Sequence, residues 1–129
     1  MNLFNNALGV HEKALKLKSQ RLEVLAQNIA NADTPNYKAR DIDFKSVMNE
    51  TQKQSTGMKA TNQGHFSVGQ GLDADGMRYR TPFNTAFDGN TVEMSVEQAQ
   101  YGKAAADYQA TLNFLESRVS GIRKALRGD

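Results

Sequence analysis

The sequence predicts a mainly α fold in which long N- and C-terminal helices form a coiled-coil-like layer around a loop-rich middle containing short helix and strand pieces. Three observations predict it. Apolar residues recur at sevens between Leu3 and Ala32. A four-three alternation of apolar residues runs from Tyr101 to Leu126. Both prolines and six of the ten glycines fall in residues 33–90. The chain therefore reads as one domain, 1–129, with an N-terminal helix over 1–32, a turn and irregular middle over 33–90, and a C-terminal helix within 91–129.

In the N-terminal helix, Leu8, Leu15, Leu22 and Ile29 form one row and Val10, Leu17 and Val24 a second, with Leu25 beside the first. These rows, with the small Ala7 and Ala14, cover a wide arc, while Glu12, Lys13, Lys16, Gln20, Glu23 and Gln27 gather opposite. A helix so patterned can touch more than one neighbour. Thr34 precedes Pro35 and is pushed toward extended backbone, so the helix stops near Ala32 or Asp33. Pro35 has no N–H, so the side chains of Asp33 and Thr34 reach only the N–H of Asn36 or Tyr37 to close the turn.

The middle has one short helical repeat, from Asp43 to about Gln54. In "ARDIDF", Arg40 and Lys45 flank Asp41 and Asp43, which reads as a neutralised surface stretch rather than an acid pair. "MRYRTPF" suits a short strand ending at Pro82. "GQGLDA" fits a loose dinucleotide fingerprint at Gly69, Gly71 and Ala74, but no buried strand precedes it and Pro82 interrupts the helix it needs. "DADG" resembles a calcium loop, yet aligning Asp73, Asp75 and Gly76 with its third, fifth and sixth positions leaves Gly71 and Pro82 where the outer carboxylates belong.

The C-terminal helix is expected over about 95–127. "TVEMSV" before it alternates Val92, Met94 and Val96 and runs extended into a cap. Ser95 with Gln98 reads as a capping box, Glu93 and Glu97 face the positive helix end, and Arg118, Arg123, Lys124 and Arg127 the negative end. Its seam is Tyr101, Ala105, Tyr108, Leu112, Leu115, Val119, Ile122 and Leu126.

The totals restrict function. Leu, Ile, Val and Phe number 26 of 129 residues, near the lower limit for offsetting the entropy of ordering, so full order calls for partners. A net charge of +2, with no aromatics interleaved among the bases, gives no nucleic-acid platform. Without cysteine there is neither disulfide nor thiolate metal site. His11 and His65 have no serine or carboxylate at triad spacing, so no enzyme, metal or cofactor is expected. The N-terminus lacks the basic start and continuous apolar run of a signal peptide, and no stretch is apolar enough to span a membrane.

The segment from Asn28 to Phe44 carries the most information. Asn28 and Asn31 share a helix face and can bond a neighbouring backbone, and Ala26, Ala30 and Ala32 allow close approach. Residue physics leaves a plain helix stop and a contact corner equally open. "LAQNIANADTPNYKARDIDF" resembles the N-terminal signature of the flagellar rod and hook axial proteins, an Asn-x-x-Asn helix end followed by Asp/Asn-Thr-Pro-x-Tyr. "KARDIDF", "DGNTVEMSVEQAQY" and "DYQ" are similar to the proximal rod members of the flagellar basal-body rod protein family. Asn36 stands where that family commonly has glycine, and asparagine also tolerates a left-handed backbone. Residues 45–87 match little.

The resemblance implies a structural subunit of the bacterial proximal rod, polymerising through its terminal helices and helping to transmit torque. Asn28, Asn31, Asp33, Thr34, Pro35 and Tyr37 would form its assembly motif. The implied partners are other copies of itself, other rod proteins, the MS-ring and export-gate adaptor proteins at the base, and the flagellar type III export apparatus. No nucleic acid or small-molecule substrate is implied. It would lie in the periplasmic rod, exported without a cleaved signal peptide. Another rod paralogue, or a cytoplasmic helical adaptor or chaperone, would carry similar heptads.

Overall fold

In the computed structural model the described residues are 2–55 and 76–128. Three helices and two strands follow in the order α1 (Asn2–Ala30), β1 (Arg40–Ile42), α2 (Phe44–Ser55), β2 (Met77–Tyr79) and α3 (Met94–Arg127). Helices α1 and α3 run antiparallel. His11 meets Phe114, Lys18 meets Asp107 and Thr111, Arg21 meets Gln100, and Asn28 meets Glu97.

The second apolar row of α1 supplies the core through Leu17 and Val24, while Val10 is exposed. Leu17 and Val24 are buried with Ile42 of β1, and Phe44, Val47, Met48 and Met77 pack around them. Leu25 is fully buried, whereas Leu8, Leu15, Leu22 and Ile29 are half-buried. The middle thus covers one side of α1 and α3 another, which is what the wide apolar arc requires.

Strands β1 and β2 pair antiparallel, with Asp41 opposite Arg78. β2 ends at Tyr79 rather than at Pro82. Backbone contacts extend the pair at both ends, from Arg80 N–H to the Ala39 carbonyl and from Asp43 N–H to the Gly76 carbonyl. Gly76 has φ +72, and a Cβ there would strike Val47, so the turn into β2 needs glycine.

Several expectations are corrected. Helix α1 ends at Ala30, two residues before Ala32, because Ala32 N–H turns back to the Ile29 carbonyl. The turn is not closed by the side chains of Asp33 and Thr34. Tyr37 N–H bonds the Thr34 backbone carbonyl, and Asn36 N–H bonds the Asp88 carbonyl instead.

Met94 and Val96 are helical, not extended, and Ser95 is no cap. Glu93 is the N-cap residue of α3 without a side-chain capping bond, since its carboxylate accepts from Phe83 N–H at 2.6 Å. The Asn90 Oδ1 accepts from Val92 N–H at 2.7 Å, which pins the chain just ahead of that start. Asp41 and Asp43 are neutralised chiefly by direct contacts from Arg21, Arg80 and Arg78, with Lys45 acting on Asp43 without a direct ion pair. The Arg40 guanidinium lies over the Tyr79 ring instead. The fingerprint at Gly69, Gly71 and Ala74, the carboxylates Asp73 and Asp75, and His65 lie outside the described residues.

Candidate assembly site

Where α1 stops, its own last carbonyls bond the N–H groups of Asn31 and Ala32, and the turn that follows takes partners from elsewhere in the chain. Asn90 supplies them. Its buried Nδ2 lies 2.8 Å from the Thr34 carbonyl and 2.9 Å from those of Asn31 and Ala32. Thr91 fixes the next stretch, its N–H bonding the Tyr37 carbonyl while its hydroxyl accepts from Ala39 N–H. Gly89, with φ +79, sits so close to the Asn36 side chain that a Cβ would lie 2.5 Å from Asn36 Oδ1. Asn36 itself has φ 60, the left-handed backbone that asparagine tolerates.

Asn28 is fully buried and uses its whole amide. Its Nδ2 donates to the Arg40 carbonyl at 2.6 Å and to Glu97 Oε2 at 3.1 Å. Its Oδ1 accepts from Arg40 N–H and from the Tyr37 hydroxyl, each at 3.2 Å. Asn31 stays local, donating to the Gln27 carbonyl and accepting from the Thr34 hydroxyl. Asp33, Thr34 and Pro35 are exposed, and Tyr37 is half-buried. The motif is therefore divided, with Asn28 and Tyr37 holding the corner from inside and Asp33, Thr34 and Pro35 presented outward.

Behind Asn28 lies an ionic chain. The fully buried Glu97 carboxylate stands 2.8 Å from Arg80 Nη1, out of line for a hydrogen bond, so the attraction is ionic. Arg80 Nη2 also reaches Asp41 Oδ2 at 2.8 Å. Asp41 in turn takes a two-pronged contact from Arg21 at 3.0 and 3.2 Å. That bond to Asp41 holds the Arg21 pKa above even its usual high value. Sequence reading gave Glu97 only a helix-dipole role and gave Arg80 and Asn90 none. One signal for Arg80 was present: Asp41 and Asp43 alternate as Arg78 and Arg80 do, and diagonal pairs of this kind join neighbouring strands.

The predicted seam of α3 falls beside the face that α1 occupies. Within the chain α1 meets Glu97, Gln100, Asp107 and Thr111, with Ala104 buried between the helices. These positions are mostly one residue away from Tyr101, Ala105, Tyr108 and Leu112. Ala105, Tyr108, Leu112, Leu115 and Ile122 are half-buried, while Tyr101, Val119 and Leu126 are exposed, Leu126 at 80%. Leu115 and Val119 line one shallow trough with Glu116, Ser120 and Arg123. Phe114 and Ile122 line another, of about 430 Å³, with Ser117, Arg118, Gly121 and Ala125.

Comparison with known proteins identifies a family. A family model described as flagella basal body rod protein matches residues 8–38. The flagellar basal body rod protein FlgB of Aeromonas hydrophila is 43% identical over 129 residues, covering 98% of this chain and 96% of that protein. FlgB of Cereibacter sphaeroides strain ATCC 17029 is 41% identical with full coverage of both chains. FlgB of Escherichia coli K12 is 36% identical, covering 94% of this chain and 93% of its own.

Proposed function

The chain belongs to the FlgB family of flagellar basal body rod proteins, and on that footing we propose that it is a structural, non-catalytic subunit of the proximal rod. It polymerises through its terminal helices with copies of itself and with other rod proteins, and the layer so formed helps transmit torque. The observation that carries this reading is the offset on α3. Helix α1 lies against the stripe that holds Glu97, Gln100, Ala104, Asp107, Thr111 and Phe114 and leaves the apolar seam partly uncovered, Val119 at 40% exposure and Leu126 at 80%. Apolar surface left on a helix flank favours association with another helix.

The same reading places the subunit in the periplasmic part of the basal body, delivered through the type III apparatus without leader cleavage. Its base-side neighbours are the MS-ring and export-gate adaptor proteins. Asp33, Thr34 and Pro35 face those neighbours, and Asn28, Asn31 and Tyr37 set the angle of the corner that presents them.

The test is Val119→Asp, which puts a carboxylate into the apolar seam at a site that the folded chain leaves open. Rod growth should stop and cells should lack filaments, while the purified variant unfolds within about 0.5 kcal/mol of the parent. Gln109→Asp, on an exposed side chain that bonds Asn113, should leave swimming intact. Normal rods in the Val119 variant, seen by electron microscopy of basal bodies, would overturn the role given to the seam.

A further inference from the structure

Two apolar features lie at opposite ends of α3, and each is open among the described side chains save that His11 meets Phe114. Phe83 and Phe87 stand at 92% and 115% exposure on the loop ahead of the helix. An aromatic side chain carries about 150–250 Å² of surface that is normally buried, so two exposed together mark a contact. The loop that holds them is well bonded. Phe83 N–H bonds Glu93, Gly89 N–H bonds the Ala86 carbonyl, Ala86 N–H bonds the Asn90 carbonyl, and the Asp88 carbonyl accepts from Asn36 N–H. Such a knob is presented before binding, which lowers the entropy lost on docking.

The second feature is the trough of about 430 Å³ around Gly121. Ser117, Gly121 and Ala125 follow one another at spacings of four and line it together with the larger Phe114 and Ile122. Arg118 closes one side, its guanidinium over the Phe114 ring at 5.1 Å. Charge matches across the two features. Residues 117–127 contain Arg118, Arg123, Lys124 and Arg127 and no acid, whereas residues 81–93 contain Asp88 and Glu93 and no base.

We infer that the Phe83–Phe87 loop of one copy docks into the Gly121 trough of a second copy, with Asp88 facing Arg118. The loop cannot fill its own trough, because at 1.5 Å per helical residue Gly121 lies about 40 Å along α3 from the Glu93 anchor. The two surfaces differ, so the contact is head-to-tail, and repeating it extends an open assembly rather than closing a dimer. Ile122 belongs both to the trough and to the seam, which makes the two contacts continuous. This inference rests on the rod-subunit reading and adds to it an end-to-end contact between copies.

The chain has no cysteine, so an engineered pair reports this contact alone. Cells would co-produce Phe87→Cys and Gly121→Cys chains, and a side chain at Gly121 meets nothing within 4 Å. Rods purified from these cells should give a disulfide-linked dimer of the chain on mild oxidation. Neither variant alone should do so, nor should Phe87→Cys with Gly102→Cys, the latter at an equally open helical site. Rods that contain both variants yet yield no dimer overturn the inference and leave the rod-subunit reading standing. So does an equal yield from the Gly102 control, or a link from Cys at position 87 to a different rod protein. Rods lacking the chain altogether overturn both. Should either cysteine stop rod growth, charge exchange decides: Asp88→Arg and Arg118→Asp should each reduce swimming and the double variant restore it. A double variant no better than the worse single overturns the contact.

Discussion

The two ends of the α1–α3 pair are built from opposite materials. At the corner, Asn28, Asn90 and Glu97 are at most 2% exposed, and each is held by several polar partners. Toward the far end of α3, Phe114, Val119 and Leu126 are 40% exposed or more. Polar side chains are thus inside where the chain meets itself, and apolar ones outside where the proposed contacts with other copies lie. The difference teaches that the corner adds directional bonds among distant segments to the apolar core of Leu17, Val24 and Ile42. Cohesion between subunits is left to apolar surface.

The sharpest way to break this comparison is Glu97→Ala. It takes from the Arg80 guanidinium the fully buried one of its two acidic partners and leaves the Asn28 amide facing a gap, and breaking a buried pair costs about 3–5 kcal/mol. Urea unfolding of the purified chain should show that loss. A drop of only about 0.5 kcal/mol, the size expected at an open surface, would mean that the corner does not organise the subunit.

Asn90→Ala comes next. It strips partners from the carbonyls of Asn31, Ala32 and Thr34, and the expected loss is about 1–3 kcal/mol by the same measurement. Hydrogen exchange should quicken at the amides of Asn36 and Tyr37.

Asp43 tests the boundary of the polar end. Its Oδ1 accepts from Ser46 N–H in the first turn of α2, and removing such a cap costs about 1 kcal/mol. The bond to Ser46 N–H is also the first cause of an Asp43 pKa below the ordinary aspartate value. A lowered folded-state pKa stabilises the fold above the unfolded value, and that contribution is lost as pH falls through the folded one. The stability gap between parent and Asp43→Ala should therefore shrink in acid below the ordinary aspartate pKa. Raising the pH above neutrality should leave it unchanged.

The smallest effect is expected at the apolar end. Leu126→Ala should shift unfolding by no more than about 0.5 kcal/mol, since Leu126 is 80% exposed, yet rods built from it should dissociate more readily. A large loss of subunit stability would show that this end is also held from within.

The two arms were legible because helical periodicity is a local property: Leu17 and Val24 announce a buried row by spacing alone. The short helix from Phe44 was legible for the same reason. The start of α3 was not, because Ser95 and Gln98 satisfy a local rule that the anchoring of Asn90 and Glu93 overrides. The corner was legible as a place through its family signature, but its chemistry was not. Nothing near Asn90 in the chain shows that it serves carbonyls 56 to 59 residues away. Likewise Glu97 at a helix start reads as a dipole complement until Arg80 is brought against it. Long-range polar pairs leave no period behind, and the alternation shared by Asp41, Asp43, Arg78 and Arg80 was the one exception.

The Asn90 clamp also has a meaning in time. Helices α1 and α3 can begin to form from local contacts within about a microsecond, each independent of the other. The clamp joins positions 56 to 59 residues apart, and the Asn28–Glu97 bond joins positions 69 apart, so both wait on the closure of a long loop whose entropy is lost before either bond repays it. The corner is accordingly a late event in folding. Until it closes, the turn after α1 lacks its clamp, and the chain retains the pliancy of a string of separate helices. Once it closes, the angle between the arms is set in a single cooperative step.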